Sequence, residues 1–292
     1  MTMPTKIDLS KNKLIYFTNI LLVLLLNHES SRAQIEKRSF RIAPLFPVQQ
    51  LAEGTVKRSE CEGAYISLRN ASGRIATIKD IDLLIYLSTW LCHAQTELID
   101  QGICDEEPGT AFSFDPENYF EFASKARNGR RQSDFENTLL ILHNTILATN
   151  CFGEKETEFR LIENYSFDKK DNGMISQVRL DIHPVLANCL SRIMVATILP
   201  KEYFSLRQIQ RAITLLLMYE CAIDDPMSTN LEELSRILGN PIKFERTIRD
   251  ILQDGLLYYG IKGNTDLSHI VFTTKINQDC PHADILYKQV QV

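Results

Sequence analysis

Two short basic clusters hold the residue types best suited to touching a polyanion. The first, "KARNGRRQ", sets Lys125, Arg127, Arg130, Arg131 and Gln132 within eight residues. Four cations beside the free backbone N–H groups of a helix start would suit contacts to phosphate oxygens. The second, "KFERTIRDILQ", places Lys243, Arg246, Arg249 and Gln253 on one side of an apparent helix. Such a face can pair with phosphates and with guanine or adenine edges in a major groove. Glu245, Asp250 and Asp254 dilute that field, and a solvated surface of Glu–Arg pairs would look the same. A turn charged for solubility is the other reading of the first cluster. Lys155, Lys169 and Lys170 lie in turn-rich segments between strands, where a hairpin tip could meet a neighbouring groove.

The elements that would carry these residues are legible from periodicity and caps. Phe244, Ile248, Ile251 and Leu252 form an apolar stripe opposite the second cluster. Asn240 as N-cap, Pro241 at the first helical position and Gly255 as terminator bound that helix. Before it, "TNLEELSRILG" opens on a Thr229/Glu232 capping box, and "KEYFSLRQIQRAITLLLMYECA" reads as one long apolar helix. After it, "LLYYGI" and "HIVFTT" flank the turn-rich "KGNTDLS".

The first half has the same order. A strand, Ala64 to Asn70, leads to a helix with Thr77 as N-cap, Asp80 in capping-box position and Asp82 as negative charge near the positive helix end. Ile81, Leu84, Ile85, Leu87, Trp90 and Leu91 surround that helix with apolar surface, as burial on more than one side requires. After the extended "AFSF", Asp115-Pro116 opens a second helix, and Ser133 with Glu136 opens a third bearing Phe135, Leu139, Leu142 and Ile146 on one face. The alternating segments "ILATNCF", "TEFRLIENYSF" and "MISQVRLDI" follow. The expectation is an α+β fold, mainly helical, of two winged helix-turn-helix domains in tandem, over residues 61–196 and 197–278. Residues 1–60 form an N-terminal apolar segment and linker, with Phe40 to about Cys61 read as an arm, and 279–292 form a tail.

Composition excludes several classes. The chain has 292 residues and a formal net charge of -5, so any case for nucleic acid rests on local clusters. Seven scattered cysteines with no Cys-x-x-Cys look like buried thiols of a reducing compartment. The six histidines have no metal-ligand spacing, and no phosphate-binding, dinucleotide-binding or nucleophile-elbow motif occurs, so neither cofactor nor catalysis is expected. Asp224-Asp225 and the run Asp105, Glu106, Glu107 sit in loops without apolar shelter. The N-terminus complicates this reading. Lys6, Lys11 and Lys13 precede the apolar run Leu14 to Leu26, and "SSRAQ" follows, which is the layout of a secretory signal. The run is short of the ~20 residues that span a bilayer. A buried or partner-docking helix is the other reading.

"RIATIKDIDLLIYLSTWL", "FENTLLILHNTILATN", "FRLIENYSFDKKDNGMISQVRLDIHPVL", "ILPKEYFSLRQIQRAITLLLMY" and "TNLEELSRILGNPIKFERTIRDIL" together resemble the plasmid replication initiator protein A family, over about Ala64 to Thr274. Two departures stand out. The family's glycine-rich basic loop is here "ARNGRRQ", and its basic end to the linker helix is here "LLLMYECA". The resemblance implies a cytoplasmic, non-enzymatic initiator that binds repeats in double-stranded origin DNA, recruits host initiator and helicase-loading proteins, and can form a homodimer. The matching positions are the nine residues of the two clusters. The rival readings are a winged-helix transcriptional repressor and an exported or membrane-attached interaction protein.

Overall fold

The computed structural model describes residues 14–18, 20, 24, 45–48, 57–61, 64–70, 74–103, 107–125, 130–152, 156–192, 196–221, 226–238, 244–256 and 259–274. Over the described residues the chain alternates helices with short strands of three to seven residues, because apolar runs of helical period are repeatedly interrupted by short extended runs. Among the described residues there are seven α-helices and twelve strands in four small antiparallel sheets. The balance is therefore mixed α+β rather than mainly helical.

Helix α1 (Asp82–Asp100) is the hub. Residues 82 to 92 and Ala94 are all buried, so it is enclosed on every side over its first three turns. Its start lies one turn later than the capping residues suggest. Asp80 Oδ2 accepts from both Thr77 N (2.8 Å) and Thr77 Oγ1 (2.7 Å), closing a separate turn over 78–81 before α1 begins.

The N-terminal apolar run, read as a signal or a buried helix, supplies a strand at its start, and the described residues farther along it, Ile20 and Leu24, are helical. β1 (Ile15–Thr18) pairs antiparallel with β9 (Ala196–Leu199), Ile15 opposite Leu199. Buried hydroxyls of α1 satisfy the groups that this docking removes from water: Thr89 Oγ1 accepts from Tyr16 N (3.0 Å), and Ser88 Oγ donates to Leu190 O (3.0 Å). Ile20 and Leu24 are buried as well. No helix among the described residues is long and apolar enough to cross a membrane. Nor is the stretch from Phe40 only an arm, since Leu45, Phe46 and Val48 are buried and β2 (Lys57–Cys61) pairs with β3 (Ala64–Asn70).

After α1 come β4 (Ala111–Phe114), α2 (Pro116–Phe122) and α3 (Arg131–Asn144). Asp115 caps α2 as the sequence indicates, Oδ1 accepting from Glu117 N at 2.9 Å. Helix α3 starts two residues before Ser133, whose hydroxyl donates to Arg130 O, and Glu136 turns away to Lys169. It ends before Ile146, which belongs to β5 (Thr145–Thr149).

The segment read as one strand, "TEFRLIENYSF", is two: β6 (Thr157–Arg160) and β7 (Asn164–Lys169). Leu161 and Ile162 between them are both fully buried, which a straight strand with alternating faces cannot achieve. The chain bends there and changes sheet, so one sheet has the order β2-β3-β5-β6 and another β4-β8-β7, with β8 spanning Ile175–Asp181.

Helix α4 (Pro184–Leu190) and β9 lead into the second half. The expected long helix is broken: a 3-10 turn over Lys201–Ser205, extended Leu206 and Arg207, then α5 (Gln208–Glu220). Tyr203 and Phe204 are buried at the break. Beyond lie β10 (Met227–Thr229), α6 (Leu231–Ile237), α7 (Phe244–Asp254), β11 (Tyr259–Gly263) and β12 (Ile270–Thr274), with sheet order β10-β12-β11. The cap of α6 is Asn230, whose Oδ1 accepts from Glu233 N (2.8 Å), one residue beyond the expected Thr229/Glu232 pair. Gly239, Asn240 and Pro241, expected at the turn before α7, lie outside the described residues. One apolar cluster runs from Ile15 to Phe272, so the halves share a core.

Two outcomes follow for stability and reactivity. Phe17→Ala should cost about 3 kcal/mol by emptying a core site, read as a lower denaturant midpoint; a change below about 0.5 kcal/mol would mean that β1 adds nothing to the fold. Burial pushes the thiols of Cys92 and Cys189 up to about 12. At pH 8 the thiolate is then on the order of one in ten thousand, so mass spectrometry after iodoacetamide should find both unlabelled in the native chain and labelled once it is unfolded.

Candidate nucleic-acid interface

The first basic cluster starts where α2 stops. Ser124 adopts a left-handed conformation (φ 50), and Lys125 N closes the helix end on Phe120 O at 2.8 Å. That turn directs the Lys125 ammonium inward, to an ion pair with the buried carboxylate of Asp82. The other oxygen of Asp82 accepts from Arg211 Nη1 of α5 at 2.8 Å. Arg131 is also engaged: its guanidinium lies 4.9 Å from the centre of the Phe120 ring and pairs with Glu117. Gln132 Oε1 accepts from Ile175 N at 3.3 Å, tying α3 to β8. Arg130 is exposed at the start of α3. Arg127 lies outside the described residues.

Lys125 and Arg131 line a cleft of about 580 Å³ together with Arg74, Lys79, Asp80 and Asp134. Arg74 and Lys79 are exposed cations that spacing alone did not single out, because they precede α1 rather than fall on a periodic face. At the β7–β8 turn, Lys169 is held by Glu136 (2.7 Å) over the Phe167 ring, and Lys170 is exposed beside Gly173, whose φ of +77 the turn requires. Lys155 lies outside the described residues.

The second cluster is carried by α7. Ile248 and Ile251 are buried and Leu252 packs against the core, so helical geometry turns Arg246 and Gln253 outward, and both are exposed. Arg249, on the same face, is half-exposed and already bonded: Nη2 to Glu245 Oε1 at 2.7 Å, and Nη1 to Thr265 O at the β11–β12 turn. It thereby fixes the hairpin tip against the helix. In that tip the Ser268 backbone and hydroxyl, with Arg249 nearby, hold the Asp266 carboxyl below its usual range. Lys243 lies outside the described residues. Arg236 of α6 and Lys262 of β11 are further exposed cations here that the sequence reading did not select.

Of the nine candidates Arg130, Arg246 and Gln253 are exposed, Lys125, Arg131, Gln132 and Arg249 are half-buried and bonded as described above, and Arg127 and Lys243 lie outside the described residues. No group of three or more potential metal ligands occurs among the described residues.

The family model for replication initiator protein A matches residues 36–257, most of the chain and both basic clusters. The chain belongs to the replication initiator protein A family. Its fold is similar to two crystal structures of domains 2 and 3 of RctB. One, of a selenomethionine derivative, superposes with a TM-score of 0.56 at 13% identity, covering 80% of this chain and 95% of that one. The other gives 0.57 at 13% identity, with 85% and 97% covered. A comparison with curated proteins gives no sequence match.

The initiator-family chain should show this sorting in its stability. Arg131→Ala should cost about 1–2 kcal/mol through the lost ring contact and ion pair, whereas Arg246→Ala should stay within about 0.5 kcal/mol. Equal losses in urea unfolding would contradict the assignment of one to packing and the other to the surface.

Proposed function

We propose that this family member initiates replication by binding repeated sites in double-stranded origin DNA through two winged helix-turn-helix domains, roughly residues 61–196 and 197–278, and by recruiting host initiator and helicase-loading proteins. It acts in the cytoplasm, without catalysis or cofactor, and a homodimer can take part. The family membership supports this reading, and the observation that carries it furthest is α7. That helix follows a short helix, buries Ile248 and Ile251, and turns Arg246 and Gln253 outward beside the β11–β12 hairpin. In the proposed complex α7 enters a major groove, Arg246 and Gln253 reach base edges or phosphates, and Arg249 holds the wing. In the first domain α3 plays the same part, with Arg130, Arg127 and the adjoining backbone amides on phosphates and Lys170 at the wing tip. Lys125, Arg131 and Gln132 chiefly hold α3 in place, and Lys243 adds charge before α7.

The test is binding of the full chain to its own plasmid DNA at two salt concentrations. Specific affinity should fall by roughly 10³-fold or more between 50 and 200 mM salt if six or more phosphates are contacted. Arg246→Ala/Gln253→Ala should lower specific affinity by about tenfold or more. A footprint on direct repeats beside an AT-rich tract supports initiation; one palindrome over a promoter supports repression instead. Binding no tighter than to random DNA at low salt would overturn the proposal.

A further inference from the structure

One fully buried carboxylate is committed to two cations and is not used by the proposed DNA contacts. Asp82, at the first turn of α1, is fully buried. Its Oδ1 accepts from Arg211 Nη1 (2.8 Å) and its Oδ2 from Lys125 Nζ. Arg211 comes from the other half of the chain and is itself buried, with its guanidinium 5.4 Å from the centre of the Tyr203 ring. Its remaining nitrogens donate to Leu206 O (Nε, 3.0 Å) and Phe204 O (Nη2). One guanidinium therefore fixes the break before α5 and ties that break to α1. Lys125 adds a third segment, the chain about to enter α3.

Apolar contacts also cross between the halves: the Phe122 and Phe204 rings meet at 5.3 Å. Apolar burial is non-directional, however, and tolerates sliding. A buried carboxylate bonded by two charged donors has one good geometry, and leaving the buried Arg211 uncompensated in the core is strongly unfavourable. We propose that Asp82 is a positioning residue that sets the distance and angle between α3 and α7, and so the spacing of DNA sub-sites the two halves can occupy together. The inference rests on the DNA-binding reading for its consequence, but its structural half stands without DNA.

Two reading heads on a rigid mount engage two sub-sites only at one separation, whereas a loosened mount accepts several with weaker discrimination. The experiment compares the full-length native chain, Asp82→Asn, and the double variant Asp82→Leu/Arg211→Met. The double variant replaces the buried Asp82–Arg211 pair by apolar groups of similar size, a replacement that commonly preserves stability, and Lys125, about a third exposed, can turn its ammonium to water. The first readout, without DNA, is the distance distribution between probes at the exposed positions Leu140 on α3 and Asp254 on α7. It should be narrow in the native chain and broader in a folded double variant. The second is affinity for the protein's own repeat with about five base pairs, half a helical turn, inserted between the two footprints. The native chain should lose roughly tenfold or more on insertion, and the double variant less than about threefold. A distribution as narrow in the double variant as in the native chain overturns the inference, as does unchanged discrimination between spacings. Should the native chain bind no DNA, the functional reading fails, and the distance distribution alone decides the role of Asp82.

Discussion

A carboxylate with no exposed surface needs cations brought to it, and the arrangement around Asp82 follows from that need. Moving an unpaired charge into a core costs several kcal/mol, and a carboxylate offsets it only with well-placed partners. Here the partners come from 43 residues away, at Lys125, and 129 residues away, at Arg211. Satisfying one side chain thus fixes the start of α1, the end of α2 and the approach to α5 in a single place. The break between the 3-10 turn and α5 belongs to the same constraint. A continuous helix would hydrogen-bond Phe204 O and Leu206 O internally, whereas the extended break leaves both carbonyls to Arg211.

The same logic of satisfying buried groups explains how α1 carries so many neighbours. Ser88 and Thr89 are polar residues in the middle of an apolar helix, and both are buried. Thr89 answers the backbone of Tyr16 in β1, while Ser88, Thr18 and Cys92 all donate to Leu190 O at the end of α4, a carbonyl with no partner in its own helix. An apolar N-terminal run docks there as a strand because α1 offers hydrogen bonds at the depth where an isolated edge would otherwise lose water.

Charge on this acidic chain is divided by use. Cations that flank aromatic rings or buried acids, Arg131 and Lys125 among them, hold helices together. Arg246, exposed on the outer face of α7, is the cation that the proposed function assigns to DNA. The proposed initiator therefore needs few basic residues at its surface. Its overall negative charge is no obstacle if the exposed cations lie on the elements that touch DNA, because screening confines each charge to about 10 Å.

What the sequence determined by itself is what local chemistry can encode. The Asp115 cap with Pro116, the apolar stripe of α7, the hairpin of β11 and β12 and the burial all round α1 each depend on residues a few positions apart, and the family resemblance is a succession of such local segments. The candidate site was legible to the same extent: spacing turned Arg246 and Gln253 outward on α7. What only the tertiary structure decided depends on partners far along the chain. Part of the run Leu14 to Leu26 becomes a strand only because β9 and Thr89 supply its partners, while Ile20 and Leu24 farther along are helical and buried. Thr157 to Phe167 divides between two sheets because Leu161 and Ile162 must both be buried. Lys125 and Arg131 look free in a basic turn, and become structural only when Asp82, Glu117 and Phe120 are folded against them. Periodicity reports which side of an element faces inward; it carries no record of what waits there, because that contact is chosen by the packing of the whole chain.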